Sequence, residues 1–247
     1  PTVFYRKAIR VDDPMVRECA MPVVALANPK GGSGKSTCCL LLATELAKRG
    51  ATVTIIDADP ERWISQWGTL EGRPSTLRIR NDVTEDTIVS RIEEAAASSS
   101  FVIVDLEGTA SLLVARAIAV ADLVLIPIQG SSMDAKGGAK LIRLIRAQAK
   151  QEARTIDYAV VLTRTSAAVV SRSLRYVMDE MRTGGIDVLV TPIVERAAFR
   201  ELFDYGGTLD TLDAGQVSNL PRAIENASQF AGEVVGRLKD RSKRDVA

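Results

Sequence analysis

The sequence contains no histidine. That absence removes imidazole general acid–base catalysis, His–metal ligation and Ser-His-Asp chemistry together. Any catalysis by this chain must use carboxylates, lysine, backbone amides and a borrowed cation. Cysteine is scarce as well: Cys19, Cys38 and Cys39 form neither an even disulfide framework nor a metal-ligand spacing. Cys38 and Cys39 fall in an expected helix, where small apolar packing is the expected role. No run approaches the ~18 consecutive apolar residues of a membrane span, and the start lacks a signal peptide's apolar core. The expected location is therefore the cytoplasm. Repeats, proline-rich linkers and low-complexity blocks are also missing. Formal charge balances at +1, so affinity for nucleic acid would have to come from a local patch.

What remains is 247 residues, 46% of them hydrophobic, enough for one large α/β domain. Residues 1–20 are mixed in charge without a clear period and read as an N-terminal tail, with Met21 offering an alternative start. The domain is expected over 21–247. Apolar runs suited to buried parallel strands occur at 23–27, 53–57, 101–105, 123–127, 158–163 and 186–191, with a weaker one at 77–80. Helix-compatible stretches lie between and after them, at 35–49, 84–97, 112–120, 135–150, 169–182 and 220–238. This alternation predicts a doubly wound, mostly parallel sheet with helices on both faces. Ligands of such sheets sit beyond the carboxyl ends of the strands. Asn28, Asp57 and Asp105 all fall at or just after expected strand ends, so three segments would converge there.

Residues 28–37 read NPKGGSGKST between an expected strand and an expected helix. Gly31, Gly32 and Gly34 let the backbone wrap closely around phosphate with its N–H groups inward. The helix beginning near Lys35 adds its positive dipole end. Lys35 can reach the β- and γ-phosphates, and the Ser36 hydroxyl can ligate Mg²⁺. Ser33 and Thr37 complete the expected nucleotide-binding stretch. A glycine-rich turn without a ligand is the alternative. The segment 101–105 (FVIVD) is four apolar residues and an acid; alone it is a weak signal. Asp57 and Asp59 could, alone, simply cap the next helix.

The run KGGSGKST, with its early Lys30 and with Pro29 where a generic P-loop has glycine, resembles the deviant Walker A motif of the ParA/MinD ATPase family. The resemblance implies a P-loop NTPase fold, ATP and Mg²⁺ as cofactors, and ATP hydrolysis. It implies that Lys30 reaches across a dimer interface to the partner's nucleotide, so that ATP joins two subunits; a solvated loop lysine is the alternative. Residues 57–60 (DADP) resemble the family's D-x-D-P element, with Glu61 where Gln is usual. Asp59 would then orient the attacking water and Asp57 would support the Mg²⁺ shell. Asp105 would hold Mg²⁺ through a water, as in a Walker B strand. Lys30, Lys35 and Asp59 are the implied catalytic residues. Gly108 keeps a switch-like position after Asp105, whereas Glu107 departs from the family's usual D-x-P or D-G-x-G.

The similarity extends over about 22–210. Residues 160–165 (VVLTRT) resemble the strand that lines the adenine pocket, implicating Thr163 and Arg164. Small ParA (ParF-like) and VirC-type proteins are the most similar members, and Trp67 is part of that likeness. Trp63 and Trp67, four apart, are expected to pack a helix on the sheet.

The resemblance implies non-specific DNA binding by the ATP-loaded homodimer, association with the nucleoid, and a ParB-like or other activating partner. Arg172, Arg175, Arg196, Arg200 and Arg222 are candidate phosphate contacts; solvated helix faces are the alternative. Phe230, Val234, Val235 and Leu238 form an apolar stripe expected to pack on the domain rather than insert in a membrane. Three functions stay open: a ParA-type positioning or partition ATPase, a recruitment factor for conjugative DNA transfer, and a metabolic relative such as a P-loop ligase or iron–sulfur carrier. A MinD-like membrane-associated positioning ATPase is a further alternative.

Overall fold

A computed structural model describes residues 21–109, 111–129, 132–166 and 172–246, without the side chains of 132–136, 172–174, 177, 182, 245 and 246. The expected tail, 1–20, lies outside the described residues. The first strand, β1 (Val23–Leu26), leads into helix α1 (Lys35–Lys48). Then follow β2 (Val53–Ala58), the short α2 (Trp63–Trp67), β3 (Leu77–Arg80), α3 (Ile88–Ala96), β4 (Phe101–Leu106) and α4 (Leu112–Val120). The second half runs β5 (Leu123–Ile128), α5 (Ser132–Gln151), β6 (Asp157–Thr165), α6 (Arg172–Thr183), β7 (Ile193–Val194), α7 (Ala197–Tyr205) and α8 (Leu220–Val246). The sheet order is β3-β2-β4-β1-β5-β6-β7. Every pairing is parallel.

β1, β2, β4 and β5 are buried along their whole length, as strands covered on both faces must be. Their side chains alternate between two cores. Val24 and Leu26 join the layer built with α1, α7 and α8, while Val23, Ala25 and Ala27 join the layer built with α3, α4 and α5. α1 is apolar almost all round because it is enclosed between the sheet and α8. Cys38 and Cys39 are fully buried in it, and burial pushes both thiols well above their ordinary range, with Asp105 adding to the effect. Packing is thus their role. Phe230, Val234, Val235 and Leu238 of α8 are likewise in the core, so its apolar stripe is covered by its own domain. Among the described residues no helix is long and apolar enough to cross a membrane.

One expected strand does not form. Over 186–191 there is only an isolated bridge, Val160 to Val188, and the seventh strand comes later, at Ile193–Val194. The cause is a competing acceptor. The Glu233 carboxylate of α8 takes the backbone N–H groups of Val190 and Thr191, each at 2.8 Å, and Val190 is left 88% exposed. Helix α8 also continues eight residues beyond 238, carrying Arg241 against Asp122 and Arg244 against Asp157.

Candidate nucleotide and metal site

The turn from β1 into α1 is shaped by glycine. Gly32 and Gly34 have φ of 71° and 97°, and a Cβ on Gly34 would lie 3.2 Å from Thr163 Cγ2. Three strand tips hold the loop from behind. At β1, Asn28 Nδ2 donates to Pro127 O at 2.5 Å while its Oδ1 accepts from Lys30 N at 2.8 Å. After β5, Gln129 Nε2 donates to Gly32 O at 2.5 Å. On β6, Thr163 Oγ1 donates to Ser33 O at 2.7 Å. With those carbonyls drawn back and no side chain capping α1, the helix's first N–H groups are left for an anion. Asn28 was legible as a strand-end residue, but Gln129 was not identified from sequence. Thr163 does line the cleft, yet its hydroxyl serves the loop backbone.

The loop, from Gly31 to Thr37, forms one wall of a cleft of about 840 Å³. Lys35 is 5% exposed in it, and its Nζ stands 3.8 Å from Asp59 Oδ2. The other Asp59 oxygen accepts from Glu61 N at 3.0 Å, which fixes the turn after β2. Lys30 is exposed and is not part of this wall.

Asp57 and Asp105 are register partners on the adjacent strands β2 and β4, and both are fully buried. Burial drives the Asp105 carboxyl up to about 7; the Ser36 hydroxyl and Lys35 pull it down, while Asp57 and Asp59 push it further up. Burial also raises Asp57, against the stabilising hydroxyl and amide of Ser65 and the charge of Arg62. Asp57 Oδ1 and both oxygens of Asp105 are buried without a hydrogen bond of ordinary geometry among the described residues. Such orphan carboxylate oxygens require a partner. A hard divalent cation with its water shell fits them, beside the Ser36 hydroxyl. Among the described residues no group of three or more acidic or sulfur side chains forms a closed metal cage. An ion such as Mg²⁺ is usually held by one or two carboxylates plus substrate phosphates.

The opposite wall comes from segments that periodicity had not resolved. Arg164 sits at φ 49° beside a register shift between Thr163 and Thr165 and lines the cleft mouth. α7 contributes Phe199, Arg200 and Phe203, with Arg196 just before it. The signal for α7 was available: apolar Ala198, Phe199 and Leu202 at helical spacing, with Gly206 after the end. Two expected DNA contacts, Arg196 and Arg200, therefore belong to the cleft wall. Of the others, Arg175 is exposed on α6, Arg222 pairs with Glu225 at 2.8 Å, and the Arg172 side chain lies outside the described residues. Trp67 is buried as expected, but Trp63 is 49% exposed and lines the cleft. It is the first residue of α2, next to the turn carrying Asp59, Pro60 and Glu61 of the same cleft. Gly108 allows the loop after β4 to touch the phosphate loop, since a Cβ there would lie 3.2 Å from Gly31 N.

An all-parallel sheet with a glycine loop between a central strand and a dipole-exposed helix, flanked by paired strand-end aspartates, defines a P-loop nucleoside-triphosphatase fold. The family model described as VirC1 protein matches residues 21–238. Protein ParA of Rhizobium radiobacter is 40% identical over 220 residues, 89% of this chain and 99% of that protein. Maintenance of carboxysome distribution protein A of Halothiobacillus neapolitanus is 27% identical over 218 residues, 86% of this chain and 95% of the relative. Among solved structures, a Cyanothece McdA–ATP complex superposes with a TM-score of 0.67 at 16% identity, covering 87% of this chain and 96% of that one. The chain belongs to the ParA/MinD family of P-loop ATPases, among its VirC1-like members.

Proposed function

We propose that this chain is an ATP-driven dimerisation switch that positions or segregates a DNA or protein cargo. The observation that carries the reading is the cluster of three orphan carboxylate oxygens beside Lys35, Ser36 and the open N-terminus of α1. Mg²⁺, when bound, would neutralise phosphate charge and polarise the transferring group. The chain's own residues do the rest. The α1 amides and Lys35 hold the phosphates, Ser36, Asp57 and Asp105 hold the cation and its waters, and Asp59 orients the attacking water. Positioning and charge neutralisation suffice, so the lack of histidine is no handicap. Lys30 is exposed outside its own cleft, which suits a lysine that completes the site of a second copy.

ATP-bound dimers would hold nucleoid DNA non-specifically, and an activating partner of ParB-like type would stimulate hydrolysis and release. The carboxysome-distribution relative and the ParA relative both favour cargo positioning. The VirC1 match favours a second reading, in which the same switch recruits a conjugative DNA-transfer complex. Affinity capture separates them: a centromere-binding or cluster partner supports the first, a relaxase the second. The mechanism is tested by gel filtration with a non-hydrolysable ATP analogue. Wild type should shift to a dimer and Lys30→Ala should not, while Asp59→Ala should stay dimeric with ATP itself. A wild type that remains monomeric with the analogue would overturn the switch.

A further inference from the structure

Asp57 is the only member of the acidic cluster with one oxygen engaged and the other orphaned. Its Oδ2 accepts from Ser65 N at 2.8 Å and from Ser65 Oγ at 2.5 Å, whereas Oδ1 is buried without a hydrogen bond of ordinary geometry, the Asp59 backbone N–H being the amide nearest in effect. Ser65 is in turn held. Asn81 Nδ2, just beyond β3, donates to Ser65 Oγ at 3.2 Å. A serine hydroxyl has one proton to give; with Asn81 as its donor, that proton is directed to Asp57. A relay thus crosses three elements, from the tip of β3 through α2 to the tip of β2. Arg62 fixes the same turn by donating to the Asp57 carbonyl oxygen.

We infer that Ser65, oriented by Asn81, is a positioning residue for the divalent cation that accompanies nucleotide: it locks the Asp57 carboxylate so that Oδ1 alone faces the cation's water shell. This rests on the nucleotide–metal reading above and adds residues outside the phosphate loop and the acidic motif's two aspartates. A free carboxylate rotates about its last bond and exchanges its oxygens. Here two donors hold one oxygen, so the rotation needed to swap them would break both bonds. The other oxygen is thereby aimed before the ion arrives, and the ordering cost of binding falls.

The test uses the full chain with a non-hydrolysable ATP analogue and Mn²⁺ as probe, free Mn²⁺ being read by electron paramagnetic resonance. Ser65→Ala keeps the backbone N–H bond to Asp57 and removes only the hydroxyl. It is expected to weaken Mn²⁺ binding about tenfold and to leave analogue affinity in EDTA unchanged. Asn81→Ala should do the same to a smaller degree, and Ser65→Thr, which keeps the donor, should restore wild-type affinity. If Ser65→Ala lowers the unfolding temperature but binds Mn²⁺ like wild type, Ser65 merely fastens α2 to the end of β2 and the assignment is overturned. Wild-type protein that adds nothing to the analogue's own Mn²⁺ affinity would overturn the nucleotide–metal reading, and this assignment with it.

Discussion

Asp105 shows what a single buried charge does to this molecule. Its carboxyl is raised from an ordinary 3.8 to about 7 by burial. The unfolded chain ionises first, so between pH 4 and pH 7 the folded state binds more protons and stability falls as pH rises. Below about pH 4 both states are protonated, and above about pH 7 both are ionised, so the slope vanishes at either end. The three-unit interval corresponds to at most about 4 kcal/mol. Thermal unfolding without nucleotide or metal should therefore show a decline across pH 4–7 that Asp105→Asn makes shallower, burial raising Asp57 and Glu45 as well. The variant should also be the more stable protein at pH 8 and lose the stabilisation that Mg²⁺–nucleotide gives wild type. Gly108 makes a complementary point about space. An added methyl would press on Gly31 N, at a cost of about 1–3 kcal/mol where the loop cannot yield. Gly108→Ala is expected to weaken nucleotide binding, measured by fluorescent-nucleotide titration, with little change in fold.

Among the elements, α2 divides its two tryptophans between fold and cleft. Trp67→Ala should cost about 3–5 kcal/mol in denaturant unfolding, as for any large buried aromatic. Trp63→Phe should leave stability nearly unchanged and abolish the fluorescence response to nucleotide that an indole on the cleft wall gives. From sequence the two are equivalent, because i, i+4 spacing places them on one helical face; in the fold Trp63 stands at the cleft end of α2 and Trp67 at its buried end. The central strands were legible because full burial makes their apolar runs continuous, and the phosphate loop because glycine spacing is dictated by phosphate geometry. The region from 186 to 205 was less legible. An extended apolar run can be satisfied by a carboxylate from a distant helix, and Glu233 lies 43 residues from Val190. Periodicity carries no information about such a partner. The loop supports at Gln129 and Thr163 were hidden for the same reason: they act through backbone carbonyls 97 and 130 residues away.

At the scale of the whole molecule, the expected arginines separate into two groups. Arg196 and Arg200 border the nucleotide cleft, while Arg175 and Arg222 do not. Arg196→Ala with Arg200→Ala should therefore weaken nucleotide binding even when DNA is absent. Arg175→Ala with Arg222→Ala should spare nucleotide affinity and weaken ATP-dependent binding to random duplex. The slope of log affinity against log salt should become shallower by about one for each arginine that no longer meets a phosphate. Equal nucleotide affinity in the two double variants would show that the cleft wall plays no part in binding.

The phosphate loop is bounded in sequence by residues 28 and 37, but its shape is kept by the tips of β1, β5 and β6. It is therefore not a portable part. A peptide of those ten residues, or the same ten grafted onto a foreign strand–helix corner, would carry the right letters without the spacing that turns its carbonyls away. Transplantation would succeed only into a host whose neighbouring strands end at the same height, with side chains of the right reach, which makes the distance between strand ends as much a part of the motif as its glycines.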